Sequence, residues 1–338
     1  NHEADLRVPI GLTLIMTVCE IEGHEVGLFD TTFIASEDNL DSKGREKDKL
    51  TKPIPMDEMF THHTQEEIVN AWIKKINDFK PDIIAVSILE DAYKFADVLL
   101  SAAKKNFNIP IVVGGVTPTM SPDVCIENPN IDMLVQNEGE IAFKELLSAM
   151  ENKTSLSKVP NLWYKDNGEV KKNALTKYMD MNKLPNQRLH FWDEKHFMKP
   201  YNGKMLKSGN FEMSRGCMHK CHYCFNRYMQ IGFEKKQVGA YRRNKTVDTI
   251  IREVLEHHKR ENFEIILFSD DNFLGRSFPE MEEFYERWEK EVKIPYIVTI
   301  DEGSGEVLSI YHNYDINDET KKRKEYFVHF KFLPGLGF

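Results

Sequence analysis

The chain has 338 residues, of which 41% are hydrophobic and 29% charged, and its formal net charge is −9. This balance is typical of a globular protein, and at about 100–200 residues per domain the length predicts two domains. The acidic charge argues against a general nucleic-acid-binding protein, which would carry a basic face. No apolar run reaches the ~20 residues needed to span a bilayer, and the N-terminus has no signal-peptide pattern. We therefore expect a soluble, cytoplasmic protein that does not bind membranes or nucleic acid.

Residues 1–150 alternate between apolar, strand-like segments and amphipathic, helix-like segments. Strands are predicted at 25–34, 82–89, 109–115 and 131–136, and helices at 11–23, 66–79, 91–106 and 140–150. This alternation predicts an α/β domain with a doubly wound parallel sheet, whose ligands bind at the carboxyl ends of the strands. No strand is readable before the first helix, which favours a fragment of a longer chain. A polar loop is predicted at 36–64.

Residues 151–207 are predicted to be a connector that contains a hairpin at Asn167 and Gly168, a typical tight-turn pair. Three aromatic residues of this connector are predicted to pack the two domains together: Trp163, Phe191 and Trp192.

A second α/β series follows at 208–300 and predicts a partial (β/α) barrel. Its strands are predicted at 211–217, 264–272 and 294–300, and its helices at 247–262 and 279–291. Residues 301–338 lose this pattern and are predicted to form an atypical C-terminal tail. The basic run at 321–324 is interpreted as a solvated surface patch.

Three of the five cysteines, Cys217, Cys221 and Cys224, lie within eight residues in the pattern C-x3-C-x2-C. Thiolates at this spacing can converge on a metal centre, and cysteine sulfur suits both iron–sulfur clusters and zinc. A structural zinc site normally has four protein ligands, and no fourth cysteine lies nearby in the sequence. The pattern therefore favours a [4Fe–4S] cluster with one open iron, and leaves zinc or unrelated thiols as alternatives. Cys19 and Cys125 are interpreted as buried, inert residues.

The segment around these cysteines, with Tyr223 just before the third, resembles the cysteine loop of radical S-adenosylmethionine (SAM) enzymes. The resemblance implies that the three cysteines hold a [4Fe–4S] cluster and that Tyr223 lies near the adenine of SAM. It also implies reductive cleavage of SAM to a 5′-deoxyadenosyl radical, with the electron delivered by a donor such as flavodoxin or ferredoxin.

The next predicted strand ends in three polar residues, Ser269, Asp270 and Asp271. Polar groups at the carboxyl end of a barrel strand lie on its functional face, although two aspartates before a helix can also serve as a cap. The family resemblance implies that these residues hold the amino group or the ribose of SAM.

The first domain resembles the cobalamin-binding domains that are fused to radical SAM enzymes. The resemblance rests on Ser87 and Leu89 after one strand, on Gly114 and Gly115 after the next, and on the sequence Asn-Glu-Gly-Glu at 137–140. It implies that Ser87, Leu89, Gly114 and Gly115 line a cobalamin pocket. The D-x-H-x-x-G motif, whose His binds cobalt in many cobalamin proteins, is absent, as it is from many radical-enzyme relatives whose cobalt has no protein imidazole on its lower face.

Together the two resemblances predict a cobalamin-dependent radical SAM enzyme. Methylation of an unactivated carbon or phosphorus centre in a small-molecule or natural-product-like substrate is the leading interpretation, with methylcobalamin as the methyl source. Cyclisation or rearrangement is an alternative. A non-catalytic cobalamin-binding module with a truncated barrel is another, because only two clear strands follow Cys224 in the sequence.

Overall fold

The computed structural model describes residues 7–35, 57–201, 204–234, 238–301, 307–312 and 326–331. The basic run at 321–324 and most of the loop predicted at 36–64 lie outside these ranges. The described residues form a five-stranded sheet, a six-stranded sheet and two small two-stranded ladders. Within the described ranges, no helix is long and apolar enough to cross a membrane.

The first half of the chain builds the five-stranded sheet and one two-stranded ladder. Its strands are β1 (Ile34–Ala35), β2 (Thr61–His62), β3 (Ile84–Ser87), β4 (Ile111–Gly114), β5 (Met133–Val135), β6 (Leu162–Asp166) and β7 (Glu169–Lys172). Its helices are α1 (Ile10–Ile21), α2 (Gln65–Phe79), α3 (Tyr93–Asn106), α4 (Val116–Met120), α5 (Pro122–Glu127) and α6 (Glu140–Glu151).

The order of the five-stranded sheet is β3-β4-β5-β6-β7. Strands β3, β4 and β5 are parallel, and the predicted hairpin, now β6 and β7, extends the sheet in antiparallel fashion. Successive residues of a strand point to opposite faces. Val113 accordingly joins the core beneath α2 and α3, whereas Val112 joins the core beneath α1 and α6. Both faces are covered, so the predicted doubly wound sheet is confirmed.

The strand predicted at 25–34 is wrong except at its last residue, because Ile34 alone lies in β1. Asp30 accepts hydrogen bonds from the backbone N–H and the hydroxyl of Thr32, at 2.9 and 2.7 Å, and this turn bends the chain away from an extended path. The apolar pattern has another origin, since Val26 and Leu28 pack against the hydrophobic cores from an irregular segment.

The second half of the chain builds the six-stranded sheet and the other two-stranded ladder. Its strands are β8 (Met198–Tyr201), β9 (Lys204–Phe211), β10 (Ser214–Arg215), β11 (Arg243–Asn244), β12 (Ile265–Phe268), β13 (Tyr296–Asp301), β14 (Val307–His312) and β15 (Tyr326–Lys331). Its helices are α7 (Phe225–Glu234), α8 (Val247–Glu261), α9 (Phe278–Arg287) and a π-helical turn at Trp288–Val292. Short 3₁₀ turns lie at Asp57–Met59, Leu156–Lys158, Met181–Lys183, Leu189–Phe191 and Glu194–Phe197.

The order of this sheet is β15-β14-β13-β12-β9-β8. Strands β9, β12 and β13 are parallel, as expected for βα units, and β8 pairs with β9 in antiparallel fashion. Beyond β13 the chain continues as two antiparallel strands, β14 and β15. The predicted tail therefore contributes strands to the sheet but departs from the β/α alternation.

The strand predicted at 211–217 is wrong, because strand β9 of the large sheet ends at Phe211. The chain then turns at Gly216, whose φ of +81° lies in the left-handed region. Between these points only Ser214–Arg215 is extended, and it pairs with β11 rather than with the large sheet.

Helix α1 joins the two halves of the molecule. Its residue Met16 and the preceding Val8 belong to the core of the six-stranded sheet, and Thr13 accepts a 2.9 Å hydrogen bond from the indole N–H of Trp192. Trp192 and Phe191 both pack against this core, as predicted. The prediction for Trp163 is wrong, because its β6 position places it inside the core of the first sheet.

Candidate functional site

A cavity of about 360 Å³ lies between the carboxyl edge of the first sheet and the start of the cysteine loop, defined here as residues 214–224. Arg215 and Gly216 of this loop line the cavity, whereas Cys217, Cys221 and Cys224 lie outside its lining. This volume is within the usual range for small-molecule sites. Ser87, Gly114 and Gly115 line one wall, and Asp271 lines the other. The cavity therefore brings together residues predicted for cobalamin with one residue predicted for SAM.

The Gly114-Gly115 pair forms an open cradle at the end of β4. A Cβ on Gly114 would have no neighbour within 4 Å, so this backbone faces free space. Gly115 has a φ of +101°, and a Cβ there would lie 3.0 Å from the carbonyl oxygen of Ile88. Such a surface lets a bulky ligand approach the backbone closely, which fits cobalamin. Leu89 lies past the end of β3, is 54% exposed and is outside the cavity lining.

The cysteine loop presents three free thiols, Cys217, Cys221 and Cys224, each of them half-buried. Within the described part of the chain, no group of three or more His, Cys, Asp or Glu side chains is placed to hold a single metal ion. A [4Fe–4S] cluster instead takes its thiolate ligands on separate irons, and hydrogen bonds to its sulfurs tune it. Two such donors approach Cys217 Sγ, the backbone N–H of His219 at 3.4 Å and the amide of Asn272 at 3.8 Å. The donor set fits a cluster.

Arg242 holds the start of the cysteine loop through hydrogen bonds. Its Nη1 amino group donates to the carbonyls of Gly216 and Asn272, at 2.9 and 2.8 Å. Its Nε and Nη2 are buried and have no hydrogen-bond partner among the described residues. Burial lowers the pKa of Arg242, while Asp270, the Cys217 thiol and Asp271 oppose that shift. A cation with unused donors beside Cys217 fits an anionic group such as a thiolate-bound cluster.

Gly216 should not tolerate a side chain, because a Cβ would lie 2.6 Å from the carbonyl oxygen of Tyr241. We expect Gly216→Ala to lower the free energy of unfolding by at least ~2 kcal/mol and to prevent cluster assembly, because it combines this clash with a left-handed φ. Gly232→Ala is the matched control, since its Cβ would make only ordinary contacts. Chemical denaturation and iron analysis measure both effects, and a stable, cluster-loaded Gly216→Ala variant would contradict this reading of the loop.

The other residues predicted to bind SAM take different positions. Asp271 lines the cavity and accepts a 3.1 Å hydrogen bond from the backbone N–H of Gly216. Ser269 is exposed; it donates to Asn210 at 2.6 Å and accepts from Arg7 at 3.2 Å. Tyr223 is 73% exposed and lies outside the cavity lining.

Asp270 is buried beneath the cysteine loop. Its carboxylate accepts hydrogen bonds from the hydroxyl of Ser214 and, at 3.1 Å, from the backbone N–H of Met213. Burial raises its pKa from 3.8 to about 6, although these two hydrogen bonds oppose the shift. Asp270 therefore anchors the loop that carries the cysteines.

The raised pKa of Asp270 predicts that the free energy of unfolding depends on pH. The native state binds this proton more tightly than the unfolded state, so the stabilisation is complete below pH 3.8 and is lost as the pH rises through about 6. Asp270→Asn lacks this titration. We expect the wild-type advantage in unfolding free energy over Asp270→Asn to fall by about 2 kcal/mol between pH 4 and pH 7. Urea denaturation across that range measures it, and a constant difference would contradict the prediction.

Sequence reasoning missed Arg242 and Asn272 as supports of the cysteine loop. Local sequence patterns do not reveal them, because each contacts residues about 25 to 55 positions away along the chain. The sequence offered one indication for Asn272, which directly follows the segment 269–271 that was predicted to bind SAM.

Comparison with family models identifies both halves of the site. Residues 58–147 match the B12 binding domain, and residues 211–324 match the radical SAM superfamily. The first match contains Ser87 and the Gly114-Gly115 cradle, and the second contains the cysteine loop.

Two curated proteins are similar to parts of this chain. An uncharacterized methyltransferase of Pyrococcus horikoshii is 31% identical over 208 residues, which is 59% of this chain and 42% of that protein. The anaerobic magnesium-protoporphyrin IX monomethyl ester cyclase of Synechocystis is 28% identical over 166 residues, 49% of this chain and 31% of that protein. The chain thus spans less than half the length of these two relatives.

A solved structure supports the fold. The radical SAM methyltransferase TsrM from Kitasatospora setae, with cobalamin and a [4Fe–4S] cluster bound, superposes with a TM-score of 0.56 at 15% identity, over 86% of this chain and 52% of that one. The two family matches therefore show that the chain carries a B12 binding domain followed by a radical SAM domain.

Proposed function

We propose that this chain is the cofactor-binding part of a radical SAM enzyme that uses cobalamin to methylate an unactivated carbon or phosphorus centre of a small molecule. The observation that carries the proposal is the cavity itself, because the glycine cradle of the first sheet borders the same space as Arg215 and Gly216, the two residues that directly precede Cys217. Two cofactors bound by these walls would face each other. A reducing cytoplasm with a flavodoxin- or ferredoxin-like donor suits such a site.

In this proposal Cys217, Cys221 and Cys224 hold the cluster, and Ser87, Gly114 and Gly115 receive cobalamin. When bound, the cluster supplies an electron for SAM cleavage and cobalamin carries a methyl group. Of the residues assigned to SAM, Asp271 faces the cavity. We assign Tyr223 and Ser269 to the outer edge of that site and Leu89 to the rim of the cobalamin pocket.

Ring formation is the second candidate reaction. It is favoured by the match to the magnesium-protoporphyrin IX monomethyl ester cyclase, which is nearly as similar to this chain as the methyltransferase is. Both candidates require the same cofactors, so the products made from SAM distinguish them.

The test incubates the anaerobically reconstituted chain with SAM, reduced cobalamin and dithionite. Methyl transfer from SAM leaves S-adenosylhomocysteine, whereas reductive cleavage leaves 5′-deoxyadenosine. We expect both products. Formation of 5′-deoxyadenosine alone would favour cyclisation or rearrangement, and formation of neither by a chain that binds both cofactors would indicate a non-catalytic module.

A further inference from the structure

A cluster of charged side chains joins the two domains beside the cavity. Arg215 and Arg243 lie directly opposite each other in the β10–β11 ladder, and both contact Glu138, which follows β5 of the first sheet. Arg243 binds both carboxylate oxygens of Glu138, at 2.5 and 3.0 Å, while Arg215 lies 3.3 Å from the nearer one.

Glu138 supplies a negative charge between the two arginines of this ladder. Two cations directly opposite each other on neighbouring strands repel, unless an anion lies between them. Arg215 also pairs with Glu140 at 2.7 Å and with Glu212 at 2.9 Å. Arg243 instead makes its carboxylate contact with Glu138, and its guanidinium lies 4.3 Å above the ring of Tyr178.

The protonation states agree with this arrangement. Burial would raise the pKa of Glu138, but Arg243 and Arg215 hold it below its ordinary value. All of these side chains are less than one fifth exposed, so the charges interact with little solvent screening.

The same residues lie next to both cofactor regions. Arg215 is two positions before Cys217, and Glu138, Arg215 and Arg243 all line the cavity. Arg215 and Glu138 therefore connect the cysteine loop to the wall that the first domain contributes to the cavity.

We propose that Glu138 is a positioning residue that couples cobalamin binding to the cluster-loaded state of the cysteine loop. This inference rests on the proposed function. Loading the cluster fixes the loop and with it Arg215, and the bridge through Glu138 then fixes the wall that cobalamin contacts. By thermodynamic linkage, the cluster should tighten cobalamin binding by the same factor by which cobalamin tightens retention of the cluster.

The test compares hydroxocobalamin affinity, measured anaerobically by visible absorbance, for the chain with and without its cluster. We expect the cluster to tighten binding by roughly 5- to 100-fold in the wild type. In Glu138→Gln the two affinities should become equal within about twofold. Glu22→Gln is the control, because its partner Lys144 forms a pair away from the cavity, and it should keep the wild-type ratio.

A second variant keeps the inference testable if Glu138→Gln does not fold. Arg243→Lys retains the charge but loses the two-pronged contact, so its ratio should also fall toward one. An unchanged ratio in either folded variant would overturn the inference, as would equal affinities in the wild type. A wild-type chain that binds neither cofactor would instead overturn the proposed function.

Discussion

Replacing Cys221 with alanine should abolish cluster assembly and, with it, cleavage of SAM. The three thiols belong to one loop, and each is a candidate ligand for a separate iron of a [4Fe–4S] cluster. Two remaining thiolates would leave a second iron without its protein ligand. Iron and sulfide analysis after anaerobic reconstitution measures the assembly, and detection of 5′-deoxyadenosine measures the cleavage.

Cys19→Ala is the matched control, because it removes one thiol without touching the loop. Cys19 is buried in the core of the first domain, and burial raises its pKa to about 12, so it is a poor ligand and a poor nucleophile. We expect this variant to keep the full cluster. A Cys221→Ala protein that still cleaves SAM would contradict the assignment of the cysteine loop.

Filling the glycine cradle should have the second large effect. Gly114→Leu points a side chain into the free space beyond β4, so we expect the fold to remain stable within about 1 kcal/mol. In the cavity the same side chain would collide with cobalamin. A steric cost of about 3 kcal/mol corresponds to a loss of affinity of ~100-fold or more. Hydroxocobalamin titration measures the affinity, and thermal unfolding checks the fold.

Gly232→Leu is the control for this prediction. It places the same side chain on α7, where a Cβ meets only the Tyr228 ring at ordinary contact distance. It should leave cobalamin affinity within about twofold of wild type. If Gly114→Leu bound cobalamin as tightly as this control, the cobalamin pocket would have to lie elsewhere.

The sequence could predict those features that depend on local patterns. The apolar runs of β4 and β5 and the turn at Asn167 and Gly168 are short-range signals, and each formed the expected element. The spacing of the cysteines likewise identified the loop directly. Ser87, Gly114 and Gly115 could be placed at one edge because the carboxyl ends of parallel strands meet there.

Other features depend on partners far away in the sequence. The sequence around Asp270 did not indicate that its carboxylate would accept a hydrogen bond from the backbone N–H of Met213, 57 positions earlier. The contact of Glu138 with Arg243 spans 105 positions. The antiparallel pairing of β13, β14 and β15 was not predicted either, because a short apolar run does not specify its neighbour in a sheet.

The central claim is that this chain binds an iron–sulfur cluster on its cysteine loop and cobalamin in the adjoining cavity. Anaerobic reconstitution with iron, sulfide and hydroxocobalamin, followed by metal analysis and visible spectroscopy of the desalted chain, tests it most directly. We expect about four irons per chain, the number in a [4Fe–4S] cluster, together with one cobalamin. A chain that retained a single zinc ion and no cobalamin would contradict the account.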